Sequence, residues 1–489
     1  MQEQASSVED VLARVPRELF IGGKWVEGRA GERIDVEDPA TGRTLVSVAA
    51  GGVEDGLEAV GAAQDALGPW AATPPRERSE VLRRTFELMR RDTEALATLI
   101  TLENGKALAD ARGEVAYAAE FFRWFAEEAV RLAGTVQVAP SGTNRILTLR
   151  QPVGVSLLVT PWNFPAAMAT RKIAPALAAG CSVVLKPASE TPLTALAVAA
   201  LLAEAGVPAG VVNVVCTRRA GPLVSAALDD PRVRKLSFTG STEVGRVLLA
   251  EAARTVVGCA MELGGNAPFL VFDDADLDRA VAAAMVAKMR NGGEACTAAN
   301  RFYVQAGIAE EFSARLAAAM SSLVVGPGLE PGVQLGPLVS GPEREKVARL
   351  VDEAVGEGSR LVTGGAVPER AGWFYEPTVL AGVDPGAPIL RQEIFGPVAP
   401  LVTFQAEEEA VRLANDSEYG LISYVCTSDL ARGLRVSEAL DSGMVGLNRG
   451  VVSDPAAPFG GTKQSGIGRE GAHEGILEYT ETKYIALDW

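Results

Sequence analysis

Between about residue 152 and residue 254 the chain alternates short apolar runs with helix-forming segments, and this limits the fold more than any other feature. Val153–Val159 is a continuous apolar run and reads as a buried strand. Ala166–Ala179 reads as a helix, with Pro165 near its first turn, where an N–H is not needed. Ser182–Leu185 then reads as strand, Pro192–Ala205 as helix, Val211–Val215 as strand and Gly221–Leu228 as helix. Lys235–Phe238 and Thr242–Arg254 repeat the pair once more. Strands recurring about every 25 to 30 residues with helices between them imply right-handed βαβ units and a parallel sheet. Such a sheet takes its ligand at the carboxyl ends of its strands. A second α/β region runs from Ala267 to about 445, with strands expected at Pro268–Phe272, Arg301–Val304, Val398–Phe404 and Ile422–Cys426. Asp276–Met289 is the expected helix in that region. Two segments look added to this plan. Gly134–Arg150 resembles a hairpin turning at Pro140-Ser-Gly-Thr-Asn144, and the tail Tyr479–Leu487 reads as a strand without an obvious partner in its own domain. Projecting strands often pair with a neighbouring subunit, so a homodimer or homotetramer is expected.

Composition narrows the function. A chain of 489 residues exceeds one ordinary core, so two or three domains are expected. A net charge of −16 argues against a nucleic-acid partner, which needs a basic surface. Five cysteines lack CxxC spacing and His473 is the only histidine, so no metal site is expected. The sparse cysteines suit a reducing cytoplasm. The polar, acidic start Met1-Gln-Glu-Gln-Ala-Ser-Ser7 does not read as a signal peptide. Apolar runs such as 193–203 are too short for a membrane span.

The chemistry centres on Cys296, in Arg290-Asn-Gly-Gly-Glu-Ala-Cys296, and on Glu262, which opens Glu262-Leu-Gly-Gly-Asn266. A thiol nucleophile usually gives its proton to a histidine, and here a carboxylate must stand in. Cys296 alone fits a buried apolar filler. Gly292 and Gly293 shift that reading, because they let backbone approach a ligand closely. Thr160-Pro-Trp-Asn-Phe-Pro165 follows the first strand, where Asn163 is either a turn residue or a donor to an oxyanion. Lys186-Pro-Ala-Ser189 follows the second strand, where Lys186 suits ribose hydroxyls or a phosphate. The G-x-G-x-x-G fingerprint is absent. In Phe238-Thr-Gly-Ser-Thr-Glu-Val-Gly245, Gly240 permits a tight turn and Ser241 opens a helix whose N–H groups can meet a phosphate. Taken alone, a simple helix cap explains these residues better.

Together these motifs resemble the NAD(P)-dependent aldehyde dehydrogenase superfamily over nearly the whole chain. The matching stretches are TPWNFP, LKPAS, FTGSTEVG, ELGGN, the Cys296 loop, EIFGP at 393–397 and PFGGTKQSGIGRE at 458–470. FFRWFAEEA, RKLSFTGSTEVGR and MELGGNAPFLVFDDADLD are most similar to the succinate-semialdehyde dehydrogenase branch. The resemblance implies a Rossmann-type parallel-sheet cofactor domain (1–133 and 151–261) and an α/β catalytic domain (262–445). A small β oligomerisation extension (134–150) and a C-terminal segment (446–489) complete it. It implies that Cys296 attacks the aldehyde, that Asn163 and the Cys296 N–H hold the oxyanion, and that Glu262 activates the hydrolytic water. It assigns cofactor contacts to Trp162, Lys186, Ser189, Gly240, Ser241, Leu263, Glu393 and Phe395. In the same branch, arginines matching Arg171 and Arg290 and a serine matching Ser453 hold the distal carboxylate of a short semialdehyde, succinate semialdehyde first and glutarate semialdehyde second. Each arginine alone fits a solvated helix charge.

Two departures stand out. Glu294 replaces the usual glutamine, and its charge would disfavour a thiolate if it faced the sulfur. Ala298 occupies the place of a second cysteine, so no local disulfide switch is available. NADP is the expected cofactor, with NAD as the alternative, because Ser189 stands where NAD-preferring relatives carry a glutamate. Lys186, Arg218 and Arg219 supply nearby positive charge, and Glu190 opposes it. Two rivals remain: a CoA-acylating enzyme, which would not need Glu262 as a base, and a non-catalytic protein on the same fold.

Overall fold

A computed structural model describes residues 7–488. Two large sheets organise them. The first has eight strands. Its parallel centre runs in the spatial order Val212–Val214, Val183–Lys186, Val155–Val159, Val233–Thr239, Gly258–Glu262. The chain order reverses between Val155–Val159 and Val233–Thr239. This is the switch point at which a doubly wound sheet opens a crevice for a ligand. Leu19–Ile21 and Lys24–Val26 extend one edge antiparallel, and Gly466–Ile467 pairs antiparallel with Met261 and Glu262 at the other. The C-terminal segment therefore passes through this first sheet before it reaches the arm.

The strands read from the sequence all form, with ends shifted by at most two residues. Continuous apolar runs are buried on both faces, as βαβ crossovers require. The helix Pro165–Ala179 is buried along its whole length. It therefore carries Arg171 and Lys172 into the interior, where a charge must be paired. Two helix starts are capped from a distance. Glu114 accepts from Ala166 N at 2.8 Å, and Glu103 from Leu193 N and Thr194 N at 2.7 and 2.9 Å. These carboxylates satisfy orphan N–H groups and face the positive helix ends.

The second sheet has seven strands, ordered Arg360–Thr363, Thr378–Ala381, Val398–Phe404, Ala299–Gln305, Ala267–Val271, Ile422–Cys426, Met444–Leu447. All are parallel except the Arg360–Thr363 edge. The expected hairpin forms from Thr135–Val138 and Arg145–Pro152. The tail corrects an expectation. Thr480–Leu487 does have a partner in its own chain: it pairs antiparallel with Arg145–Pro152 from Thr480↔Pro152 to Leu487↔Arg145. The two strands have equal length and matching register, so chain ends far apart in sequence close one three-stranded sheet. Val136, Val138, Tyr484 and Leu487 remain exposed on it. Among the described residues no helix is long and apolar enough to cross a membrane.

Removing residues after Tyr479 should strip Arg145–Pro152 of one ladder. Amide exchange in that strand should then rise toward that of free chain, while Val155–Val159 stays protected. Unchanged protection of Arg145–Pro152 would contradict the pairing.

Candidate active site

The loop carrying Cys296 is set by three successive left-handed residues. Asn291, Gly292 and Gly293 have φ of 54°, 61° and 80°. A Cβ on Gly293 would lie 2.2 Å from the Gly396 carbonyl oxygen. The close approach that needs this glycine is thus to backbone, not to a ligand as the sequence suggested. Gly265 does the same on the other side, since a Cβ there would meet the Cys296 carbonyl at 2.4 Å. Tyr424 holds the loop by donating its hydroxyl to Thr297 O at 2.8 Å.

Asn163 belongs to the same assembly. Its Nδ2 donates to the Glu294 carbonyl at 3.1 Å, which leaves the second N–H of that amide free to serve another acceptor. Its own carbonyl receives Lys106 Nζ at 2.7 Å and Asn291 Nδ2 at 2.9 Å. Lys106 is in turn paired with Glu114 at 2.6 Å, fully buried. The Glu294 carboxyl turns away to accept from Val339 N at 3.0 Å. Burial raises it to about 8, so it is largely protonated near neutrality. The expected conflict between Glu294 and the nucleophile does not arise.

Glu262 ends the last parallel strand of the first sheet and lies beside the Cys296 thiol. Burial and the Glu262 carboxylate push that thiol well above its usual range, with Arg171 acting in the opposite sense. Glu262 is itself raised by burial and lowered by Arg171. Its protein neighbours on the donor side are the Cys296 thiol and the Arg171 guanidinium. Arg171 Nη2 lies 3.1 Å from Glu262 Oε2, and Arg171 Nε is ion-paired with Glu470. Lys172 also pairs with Glu470 and donates to Ser237 Oγ at 3.0 Å. The Arg171 guanidinium sits over the Phe459 ring at 4.6 Å, and Phe459 and Glu470 exchange backbone hydrogen bonds of 2.8 Å. Glu470 and Phe459 lie within the stretch 458–470, but sequence reasoning gave them no role.

A cleft of about 180 Å³ opens beside Cys296 at the switch point. Trp162, Asn163, Gly240, Ser241, Glu262, Leu263, Glu393 and Phe395 line it. Ser241 caps the helix Thr242–Ala253 through Val244 N at 3.4 Å, beneath which Gly245 makes room for Leu263. Phe395 adopts a left-handed φ of 55° and meets Trp162 edge-on at 5.3 Å. Strain of this kind in a bulky residue commonly marks a site. Glu393 accepts from Gly265 N at 3.3 Å and is raised to about 8 by burial. Lys186 ends the second strand, buried, and burial lowers its pKa. Ser189 donates to Glu190 at 3.1 Å, and Arg218 is held by the Arg33 carbonyl at 2.9 Å, while Arg219 is exposed. A helix start, the Glu393 carboxyl and the Trp162 and Phe395 rings suit a dinucleotide.

Arg290 caps the helix Leu277–Met289 and lies over Phe164 at 5.2 Å. The Arg171 and Arg290 guanidinium groups both act on Tyr117, so this half-buried tyrosine is their shared neighbour. Its position on the helix Leu108–Glu128 gave no sequence signal. Ser453 is half-buried in a loop that runs along the Leu277–Met289 helix, where Gly450 approaches Ala283. Among the described residues no group of three or more His, Cys, Asp or Glu is placed to hold a metal.

The signature of the Aldehyde dehydrogenase family spans residues 25–485. The chain is 56% identical to the succinate-semialdehyde dehydrogenase of Paenarthrobacter nicotinovorans, covering 91% of this chain and 98% of that one. It is 48% identical to the Escherichia coli (strain K12) succinate-semialdehyde dehydrogenase (NADP(+)), covering 96% and 98%. The crystal structure of succinate-semialdehyde dehydrogenase from Burkholderia pseudomallei superposes with a TM-score of 0.96 at 48% identity, over 97% of this chain and 98% of that one. With a parallel-sheet crevice, a cysteine on a glycine-shaped loop and a buried glutamate facing it, this chain belongs to the aldehyde dehydrogenase family.

Proposed function

We propose that the protein oxidises succinate semialdehyde to succinate with NAD(P)+ by covalent catalysis at Cys296. The observation that carries the substrate reading is Arg171, a buried guanidinium close to the thiol that already draws two carboxylates, Glu470 to Nε and Glu262 to Nη2. A buried donor set of this kind favours a carboxylate, which it can bind through two charge-assisted bonds. Arg290 is the second cation and Ser453 a neutral donor for the same group.

The steps follow from the geometry. The raised thiol stays protonated at rest, and Glu262 is the acceptor beside it. As its proton passes to Glu262, sulfur attacks the aldehyde carbon and a thiohemiacetal forms. The Cys296 N–H and the free N–H of Asn163 meet the oxyanion. Lys106 and Asn291 keep Asn163 in place. Losing such a donor costs about 10²–10³ in rate. Bound NAD(P)+ supplies the hydride acceptor. Trp162, Gly240, Ser241, Leu263, Glu393 and Phe395 would hold it, with Lys186 and Ser189 toward the adenosine ribose. Glu262 then passes the thiol's proton to solvent, and the thioester left on Cys296 is hydrolysed by water that the recharged carboxylate deprotonates. Residues 1–133 and 151–261 serve cofactor binding, 262–445 serve catalysis, and 134–150 with 446–489 serve assembly into a homodimer or homotetramer. Exposed Val136, Val138, Tyr484 and Leu487 support that last assignment. A cytoplasmic location goes with this reading.

Cys296→Ala should abolish turnover and leave cofactor binding intact. Glu262→Gln, which loses the thiol's proton acceptor as well as the deacylation base, should release one equivalent of reduced cofactor more slowly than wild type and then stall, with steady-state turnover down about 10²–10⁴-fold. Near-normal turnover by Cys296→Ala would contradict the mechanism.

NADP should be preferred over NAD, because neutral Ser189 does not repel a 2′-phosphate and Lys186 and Arg219 add positive charge. A kcat/KM favouring NAD about tenfold, or 1.4 kcal/mol, would refute this.

Arg171→Ala or Arg290→Ala should harm succinate semialdehyde far more than butanal, since the arginines fix the distance from carboxylate to thiol. Equal losses on both aldehydes would overturn the substrate reading. A higher kcat/KM on glutarate semialdehyde would move the assignment one carbon longer.

A further inference from the structure

Arg171 faces two tasks at once. The proposed substrate reading gives it the distal carboxylate, yet it already contacts the base Glu262 and the structural partner Glu470. The two existing contacts are unequal. Glu470 is held by Lys172 as well, and its backbone is fixed to Phe459 in both directions. Glu262 lies 3.1 Å from Arg171 Nη2 but out of hydrogen-bond alignment, and its other donor is the Cys296 thiol, with no second cation bonded to it as Lys172 is to Glu470. Glu262 is therefore the partner that can let go.

We propose that the distal carboxylate of the substrate replaces Glu262 on Arg171, so that binding the acid group releases the base for deacylation. This rests on the reading of Arg171 as the carboxylate anchor. In the absence of an acid group Arg171 keeps its hold on Glu262, which weakens it as a base. Once the guanidinium is shared with a substrate carboxylate, Glu262 regains basicity. A base works best when its pKa approaches the working pH. The chemical step is then an ordinary hydrolysis. Water gives a proton to Glu262, its oxygen bonds the acyl carbon, the C–S bond breaks, and the departing sulfur takes the proton back from Glu262. The other ionisable groups facing Glu262 are Lys172 from the same helix as Arg171, Glu470 from the C-terminal loop, the Cys296 thiol and Glu393 across the cleft. None of these is expected to meet the substrate's acid group. Arg171 thus acts through Glu262 as a positioning residue and favours acidic aldehydes in a second step, after binding.

The test is acid release in a single turnover of wild-type enzyme. Enzyme saturated with cofactor is mixed with less than one equivalent of succinate semialdehyde or of butanal, and product acid is quenched at a series of pH values. The acid limb for succinate semialdehyde should lie about one pH unit above that for butanal, the low end of what one nearby opposite charge does. In Arg171→Gln the two limbs should coincide at the higher position. A preference for succinate semialdehyde on kcat/KM combined with coincident wild-type limbs overturns the exchange alone. Equal kcat/KM on the two aldehydes overturns the substrate reading, and the exchange with it.

Discussion

The site depends on one buried ionic cluster. Arg171 and Lys172 sit on a helix with no exposed face, and Glu262 and Glu470 meet them from the strand end and the C-terminal loop. Burial alone would discharge these groups. It pulls Lys172 down, with the Glu470 carboxylate opposing, and it would pull Arg171 down were Glu470 and Glu262 not beside it. Glu470 ends below its usual range, because Arg171 and Lys172 outweigh its own burial. Removing one partner from such a cluster typically costs about 3–5 kcal/mol, since it strands the other charge. The cluster also connects three distant parts of the chain, and so couples the catalytic base to the fold.

Around that cluster the two sheets divide the work. The first sheet presents Asn163, Ser241 and Glu262 from the carboxyl ends of its strands. The second delivers Cys296 from the loop entering Ala299–Gln305. Glycine contacts shape that loop within the second region: Gly265 against the Cys296 carbonyl, and Gly293 against Gly396. The Asn163 amide, donating to the Glu294 carbonyl, ties the loop to the first sheet. The Asn163 carbonyl, held by Lys106 and Asn291, keeps the oxyanion donor in register with the nucleophile.

Much of this was legible in the residues. Apolar runs interrupted by helical segments placed four strands of each sheet, because βαβ units write a local pattern, but not Gly258–Glu262, Thr378–Ala381, Met444–Leu447 or the antiparallel edges. Cys296, Glu262 and the cleft residues stood out through short motifs beside strand ends. What stayed hidden was long-range. The pairing of Thr480–Leu487 with Arg145–Pro152 depends on a register between segments over 300 residues apart. The harmless orientation of Glu294 depends on Val339, and the need for Gly293 depends on Gly396. Arg171 read as a surface charge or a substrate anchor, and only its burial beside Glu262 and Glu470 ties it to the base.

The central claim is an acyl group carried by Cys296 and released by Glu262. Peptide mass spectrometry of Glu262→Gln, quenched after mixing with NADP+ and succinate semialdehyde, tests it most directly. A succinyl mass confined to the peptide containing Cys296 is the predicted result. An unmodified Cys296 in protein that has produced one equivalent of reduced cofactor, or the acyl group on another residue, would contradict the account.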